Sequence, residues 1–513
     1  MAAIEVWSAG RRHLPSVPLL GAVVVALLGL LPLAYVVQGT VDTGWTETRH
    51  LVFRSRIGEL FTNSAVLCVG CVSATVVIGT GTALLVERTD LPWRRLWAVL
   101  LVAPLAVPAF VNAFAWVSLR PGMDGAVGAV LITSLSYFPF VHLPVAAVLR
   151  TLDPSLEESA LALGKTPAQV LGRLVLPQLR PAILGGALLV GLHTLAEFGA
   201  LQMLRFPTLT TALLDQFHST FNGSAATSLA SVLVLCCLLL VTLEVLLRGR
   251  ARYARVGSGA ARRRPPAPLG AARWPAFAGV LGLCVLSLGV PAYALWHWLS
   301  LGGGISGEFG SALTSTLGLA AAGALATTAA ALPLAWLAVR HRRGLTTVLE
   351  RSAYISSALP GVVIALALVT YATRYWYGVY QTSALVVASY VLLFLPRALV
   401  NLRAGIAQAP PELDDAARAL GVGGVRTMLR VTLPLIAPHL AAALAFVFLA
   451  ACTELTATLL LAPTGTSTLA TQFWAYSSEI DYVSAAPYAA AMVALSVPMT
   501  FVLLQQSRRV RAR

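Results

Sequence analysis

The sequence predicts an all-α, polytopic membrane protein of about twelve transmembrane helices in two tandem six-helix halves, and three observations carry that expectation. Of 513 residues, 58% are hydrophobic and 11% charged, with a mean hydropathy of +0.79, whereas a soluble domain carries roughly a quarter charged residues. Apolar stretches of the length that crosses a hydrocarbon core, ~20 residues for ~30 Å, recur along the whole chain. A polar segment of 28 residues occurs twice.

In order, the first six apolar stretches lie at 18–37, 62–86, 96–118, 127–149, 182–204 and 226–247, and the second six at 275–299, 312–339, 351–371, 382–402, 439–462 and 485–505. The first follows Arg11, Arg12 and His13 as a signal peptide would. It ends in AYVVQG with no small-x-small cleavage site, so it reads as a retained helix. Arginines set the orientation, because cytoplasmic loops carry the Lys/Arg excess. With the N-terminus inside, one side collects Arg88, Arg94 and Arg95, the run from Arg248 to Arg273, Arg340, Arg342 and Arg343, and finally Arg508, Arg509, Arg511 and Arg513. Both termini are therefore expected in the cytoplasm of a prokaryotic cell with the chain threaded through its inner membrane. The net charge of +15 then reports topology and attraction to the lipid bilayer, not nucleic-acid binding.

Residues 248–274, basic and rich in small residues and proline, read as a cytoplasmic linker. They divide the chain into a first half, 1–247, and a second, 275–513. The halves are related. PSLEESALALGKTPAQVLGRLVLPQLRP (154–181) aligns without gaps on PELDDAARALGVGGVRTMLRVTLPLIAP (411–438) at an offset of 257, with ten of 28 positions identical. Upstream the offset is 252, pairing VPAFVNAFAWV with LPGVVIALALV through Pro108 and Pro360. Both halves enter the polar segment from the same side, which makes a parallel repeat.

Within that segment Leu156, Ala160 and Leu163 recur at helical spacing while Glu157, Glu158 and Ser159 lie toward the other side. Gly164 supplies a C-terminal stop. A second helix from about Pro167 to Leu176 follows, carrying Arg173, and Pro177 and Pro181 turn the chain back toward the bilayer. The result is a helix-turn-helix knob. Its GKT (164–166) is not a phosphate loop: the glycine a Walker motif needs five residues earlier is Ser159, on a helix, and the second copy reads GVG.

The pattern E-[SA]-A-x3-G followed by an LP pair occurs as Glu158-Ser159-Ala160 to Gly164 with Leu176-Pro177, and as Asp415-Ala416-Ala417 to Gly421 with Leu433-Pro434. It resembles the EAA loop of the membrane subunits of ABC importers, with Asp for Glu in the second copy. ERTDLPWRR (87–95) and FPFVHLPVAAVLRTLDPSLEESALALG (138–164) are similar to stretches of fused iron(III)-type permeases and their thiamine relatives. The resemblance implies a type I importer permease fold, with each loop inserting into one subunit of an ABC ATP-binding dimer. It implies coupling roles for Glu157, Glu158, Ala160, Gly164 and Arg173, and for Asp414, Asp415, Ala417, Gly421 and Arg430. ATP and Mg would then bind the partner ATPase, with no cofactor in this chain.

Directly after each loop, HTLAEFGA (193–200) aligns with AACTELTA (450–457), placing Glu197 and Glu454 at the same offset inside membrane spans. Ionisable groups at that depth must face protein or water. They are expected to act in helix packing or gating, or to contact cargo, with His193, one turn earlier, as a partner for Glu197. Cys68 and Cys71 form a CxxC inside an apolar span without a βαβ pattern, which argues against a redox reading. The loops opposite the knobs gather no metal-ligand cluster, so a separate extracytoplasmic binding protein is expected to deliver cargo. Iron(III) is the first expectation for that cargo, with thiamine, a polyamine or a phosphonate as alternatives. An ion-coupled secondary transporter is the competing class; an enzyme is not expected, for want of a nucleophile, base or metal constellation.

Overall fold

Where the sequence runs apolar without interruption the protein is helical, and proline breaks some long helices while others run through it, as seen in a computed structural model. The structure describes residues 16–220, 223–248, 266–302, 307–341, 344–355 and 359–509. Arg11, Arg12 and His13, the linker arginines from 250 to 264, Arg342, Arg343, Arg511 and Arg513 lie outside the described residues.

The first half opens with α1 (Ser16–Thr43), α2 (Trp45–Val52) and the 34-residue α3 (Ser55–Arg88). Next come α4 (Arg94–Leu100) and α5 (Ala109–Leu119), then α6 (Gly125–Tyr137) and α7 (Pro139–Thr151), which together make one span. A knob of α8 (Pro154–Ala162) and α9 (Pro167–Val170) leads into α10 (Leu176–Ala196), α11 (Gly199–Met203), α12 (Leu209–Thr220) and α13 (Gly223–Arg248). The second half repeats this order. In place of α1 stand α14 (Arg273–Cys284) and α15 (Val290–Ser300), followed by α16 (Gly307–Arg340), again 34 residues, α17 (Gly344–Ile355), α18 (Gly361–Tyr375) and α19 (Ser383–Gln408). The second knob is α20 (Pro411–Ala419) and α21 (Gly424–Thr427). After it run α22 (Leu433–Leu435), α23 (Ala437–Cys452), α24 (Thr456–Leu461), α25 (Leu469–Ser478) and α26 (Tyr482–Arg509).

Among the described residues eight segments are long and apolar enough to cross a membrane, and two bent helix pairs raise this to ten. The shorter apolar helices α18 and Tyr482–Pro498 occupy the two remaining predicted positions. Two expected spans are broken by the same cause. The stretch 96–118 bends by 90° before α5, and 351–371 divides into α17 and α18, at Pro108 and Pro360; proline lacks the N–H and pushes its predecessor out of helical geometry. The expected turn at Pro177 and Pro181 is found only in the second copy. Gly424–Leu435 and Ala437–Cys452 meet at 82°, whereas residues 167–196 form one continuous span. Both copies pass through a π-helical turn instead, Leu171–Val175 and Met428–Thr432, at the same offset of 257 as the sequence repeat.

Lipid supplies no hydrophobic force between helices, so close backbone approach must hold them. A Cβ on Gly79 of α3 would sit 2.9 Å from the His142 nitrogen of α7, and one on Gly186 of α10 would sit 2.8 Å from Val141 Cα. These two glycines let α3, α7 and α10 close around one another. The halves also exchange elements. α1 packs on α16, α17 and α18 of the second half, and α15 packs on α5 of the first. Phe110 and Phe114 of α5 meet Phe473 of α25, and Phe198 meets Trp474 across the same seam. The tail of the linker is fixed as well: Ala267 forms a bridge with Thr89, its N–H donating to Arg88 O at 2.8 Å.

Candidate functional site

Each knob is built by local rules before any partner is considered. Asp153 caps α8 by accepting from the Ser155 N–H at 3.0 Å. The helix ends in a Schellman turn, with Lys165 N–H donating to Ala160 O at 3.1 Å and Gly164 at φ +80°. The second copy repeats it through Val422 N–H to Ala417 O at 3.0 Å and Gly421 at φ +79°. An added Cβ at either glycine would meet nothing within 4 Å, so these residues are required by the left-handed backbone and not by crowding. Thr166, the end of the GKT, is the N-cap of α9 in a capping box with Gln169.

Adjacent acidic residues then part company, as 100° per residue requires. Glu157 and Asp414 are 4% and 3% exposed, turned onto their own bundle, while Glu158 and Asp415 are exposed. Arg88, the last residue of α3, pairs with Glu157 at 2.8 Å; Arg340, the last residue of α16, pairs with Asp414 at 3.1 Å. Thr432 also donates to Asp414 at 2.9 Å. The two ion pairs are copies, since the arginines differ by 252 and the acids by 257, the two offsets of the repeat. Arg150 with Glu87 braces the same end of α3, and Arg403 of α19 pairs with Glu350 of α17. Leu163 and Leu420, by contrast, are 81% and 83% exposed, and Leu156 and Leu413 are exposed too. The apolar side of each knob thus faces outward. Ala160 is half-buried and Ala417 buried; Arg173 and Arg430 are exposed, so support from behind comes from Arg88, Arg340 and Thr432.

The paired membrane carboxylates mark breaks in their spans. Glu197 follows α10 and accepts from the Ala200 N–H of α11 at 3.0 Å; Glu454 follows α23 and accepts from the Ala457 and Thr458 N–H groups at 2.8 and 2.9 Å. Each satisfies the exposed donors of a short helix that restarts within the membrane. A tyrosine from the neighbouring span completes each cluster. Tyr137 donates directly to Glu197, and Tyr390 reaches Glu454 through Thr458, whose hydroxyl lies 2.6 Å from the carboxylate. His193, expected beside Glu197, instead bonds Leu189 O through Nδ1 at 2.8 Å and lies against Phe140 with ring centroids 4.6 Å apart. The two breaks touch across the halves: a Cβ on Gly199 would stand 2.9 Å from Leu455.

Sequence reasoning missed the partners Arg88, Arg340 and Tyr137, and it missed Arg397, an arginine in the middle of α19. The shared offset of Arg88 and Arg340, and an arginine inside the predicted span 382–402, were the available signals. Among the described residues no three His, Cys, Asp or Glu side chains gather as a metal site.

Residues 75–253 and 330–512 each match the family described as binding-protein-dependent transport system inner membrane component. The chain is 38% identical to the Fe(3+)-transport system permease protein FbpB 2 of Haemophilus influenzae, over 93% of this chain and 96% of that protein. It is 24% identical to a putative ferric transport system permease protein, FbpB 1, of the same organism, over 81% of this chain and 72% of the relative. Similarity to the sulfate transport system permease protein CysT of Salmonella typhimurium is 29% over 45% of this chain and 92% of that protein.

Proposed function

The chain belongs to the family of binding-protein-dependent transport system inner membrane components, matched once in each half, and from that premise we propose that it is the fused permease of a ferric-ion ABC importer. The single observation that carries the mechanism is the pair of knobs, each exposing a leucine at its tip and anchored behind by a buried ion pair. An apolar residue that is four-fifths exposed in both copies suits docking into a groove of a separate ATP-binding subunit. In this reading the knobs and both termini face the cytoplasm, and ATP and Mg bind the partner dimer. A binding protein delivers cargo on the opposite face.

Closure of the nucleotide-loaded dimer draws the knobs together, and the Arg88–Glu157 and Arg340–Asp414 pairs pass the displacement to α3 and α16. Access to the path between the halves then alternates. Ferric iron is favoured over thiamine, a polyamine or a phosphonate by the relative that spans nearly the whole chain.

The test is reconstitution in lipid vesicles with the ATP-binding subunit and the binding protein. Iron uptake should require ATP and should be lost when Leu163 and Leu420 are both changed to Glu, with the ATP-binding subunit no longer co-purifying. Uptake by the wild-type permease alone, without the ATP-binding subunit, overturns the reading.

A further inference from the structure

α19 carries a charge in its middle. Arg397 lies 11 residues before Gln408, the helix end nearest the knob, which is roughly 16 Å along the axis and so near the centre of a ~30 Å hydrocarbon core. Leu395, Pro396, Ala398 and Leu399 around it are buried, while Arg397 is exposed. A guanidinium presented to lipid at this depth is costly, and such groups face a bundle interior or a watered path.

The helix face identifies which. One turn from Arg397 is Leu393, whose Cδ2 lies 3.4 Å from where Gly361 would carry a Cβ; that same position is 3.9 Å from Glu454 Oε1. The Glu454 break in turn meets the first half, where a Cβ on Gly199 of α11 would stand 2.9 Å from Leu455. Arg397, one turn from Leu393, therefore lies on the face of α19 that borders this cross-half contact, its guanidinium over the Phe394 ring at 5.1 Å. Among the described residues it forms no ion pair.

In the ferric reading, cargo crossing between the halves would pass this cation. A bare trivalent ion would be repelled, and in a low-dielectric interior that repulsion is strong. Nor are the carboxylate oxygens free as ligands, because Glu197 and Glu454 already hold backbone N–H groups and hydroxyls. A ferric ion needs hard oxygen donors, and here they must come with the cargo. An arginine fork matches anionic oxygens bidentately.

Resting on the ferric reading, we propose that Arg397 is a pathway contact for anionic oxygen atoms carried by the cargo, so that ferric iron crosses this level coordinated by a small oxyanion and not as a bare ion. The experiment uses the complete importer in vesicles, with the binding protein charged with radiolabelled ferric ion. One arm supplies inorganic phosphate carrying a second label, the other labelled citrate. In wild type an oxyanion label should enter together with iron. Arg397→Gln should lower iron uptake about tenfold, the scale of one lost charged hydrogen bond, while binding-protein-stimulated ATP hydrolysis stays within about twofold because the knobs are untouched. Arg397→Lys should fall between. Iron entering without either label, or Arg397→Gln transporting at the wild-type rate, overturns the proposal. Should Arg397→Gln lose stimulated hydrolysis through misfolding, the double-label result in wild type still decides. A wild-type complex that moves no iron in either arm instead defeats the iron reading itself.

Discussion

Arg88 and Glu157 are worth more as a pair than their separate charges suggest. Removing one partner takes the matching charge from the other in a buried setting, a loss of about 3–5 kcal/mol, whereas replacing both with neutral isosteres costs far less. Arg88→Gln should therefore lower the melting temperature and the capture of the ATP-binding subunit more than the double change with Glu157→Gln does. Arg340→Gln against the double with Asp414→Asn should follow the same order. Equal losses in single and double variants would show that the pairs carry nothing. The sequence displayed these arginines as cations at span ends and identified the knob acids, yet joining them requires contacts 69 and 74 residues apart. Periodicity cannot supply such contacts. It grouped Glu157 with Glu158, while the fold separates them by one helical step, and only the burial pattern reveals which of the two looks inward.

The π turns that join each knob to its span are the least legible elements. Inserting one residue into a helical turn leaves composition and apolar spacing almost unchanged, and Pro177 and Pro181 pointed to a turn toward the bilayer that the first copy does not make. Such wide turns recur at functional hinges. Their appearance at one offset in both halves, with Arg173 and Arg430 inside them, fits a joint between docking element and membrane helix. Deleting Gly172 and Leu429 should restore ordinary α-helical register. The complex should still assemble and hydrolyse ATP, while uptake per ATP hydrolysed drops about tenfold, equivalent to ~1.4 kcal/mol on the transport barrier. An unchanged ratio of uptake to hydrolysis would remove the hinge role. The broken spans were better signalled, because Pro108 and Pro360 were visible as a repeated pair and their local consequence follows from the missing donor alone.

For the molecule as a whole, the duplication and the order of elements could be read from the chain, but the exchange of α1 and α15 between halves could not. Apolar helices offer similar surfaces to lipid and to one another, so their neighbours are chosen by small-residue contacts that composition does not rank. That exchange makes a direct prediction. A chain divided between residues 248 and 266 and expressed as two pieces should assemble into a complex that survives purification, since α1 and α15 each reach across the seam. Pieces that purify only apart would show that the seam depends on covalent connection. The matching lengths of α3 and α16, 34 residues or about 51 Å each, have a further consequence. They are equal spokes reaching from one face of the protein toward the other, so the two-fold symmetric motor of the proposed reading would meet its two handles at the same height. A single residue inserted into either spoke would swing its handle about 100° and leave the motor gripping on one side only.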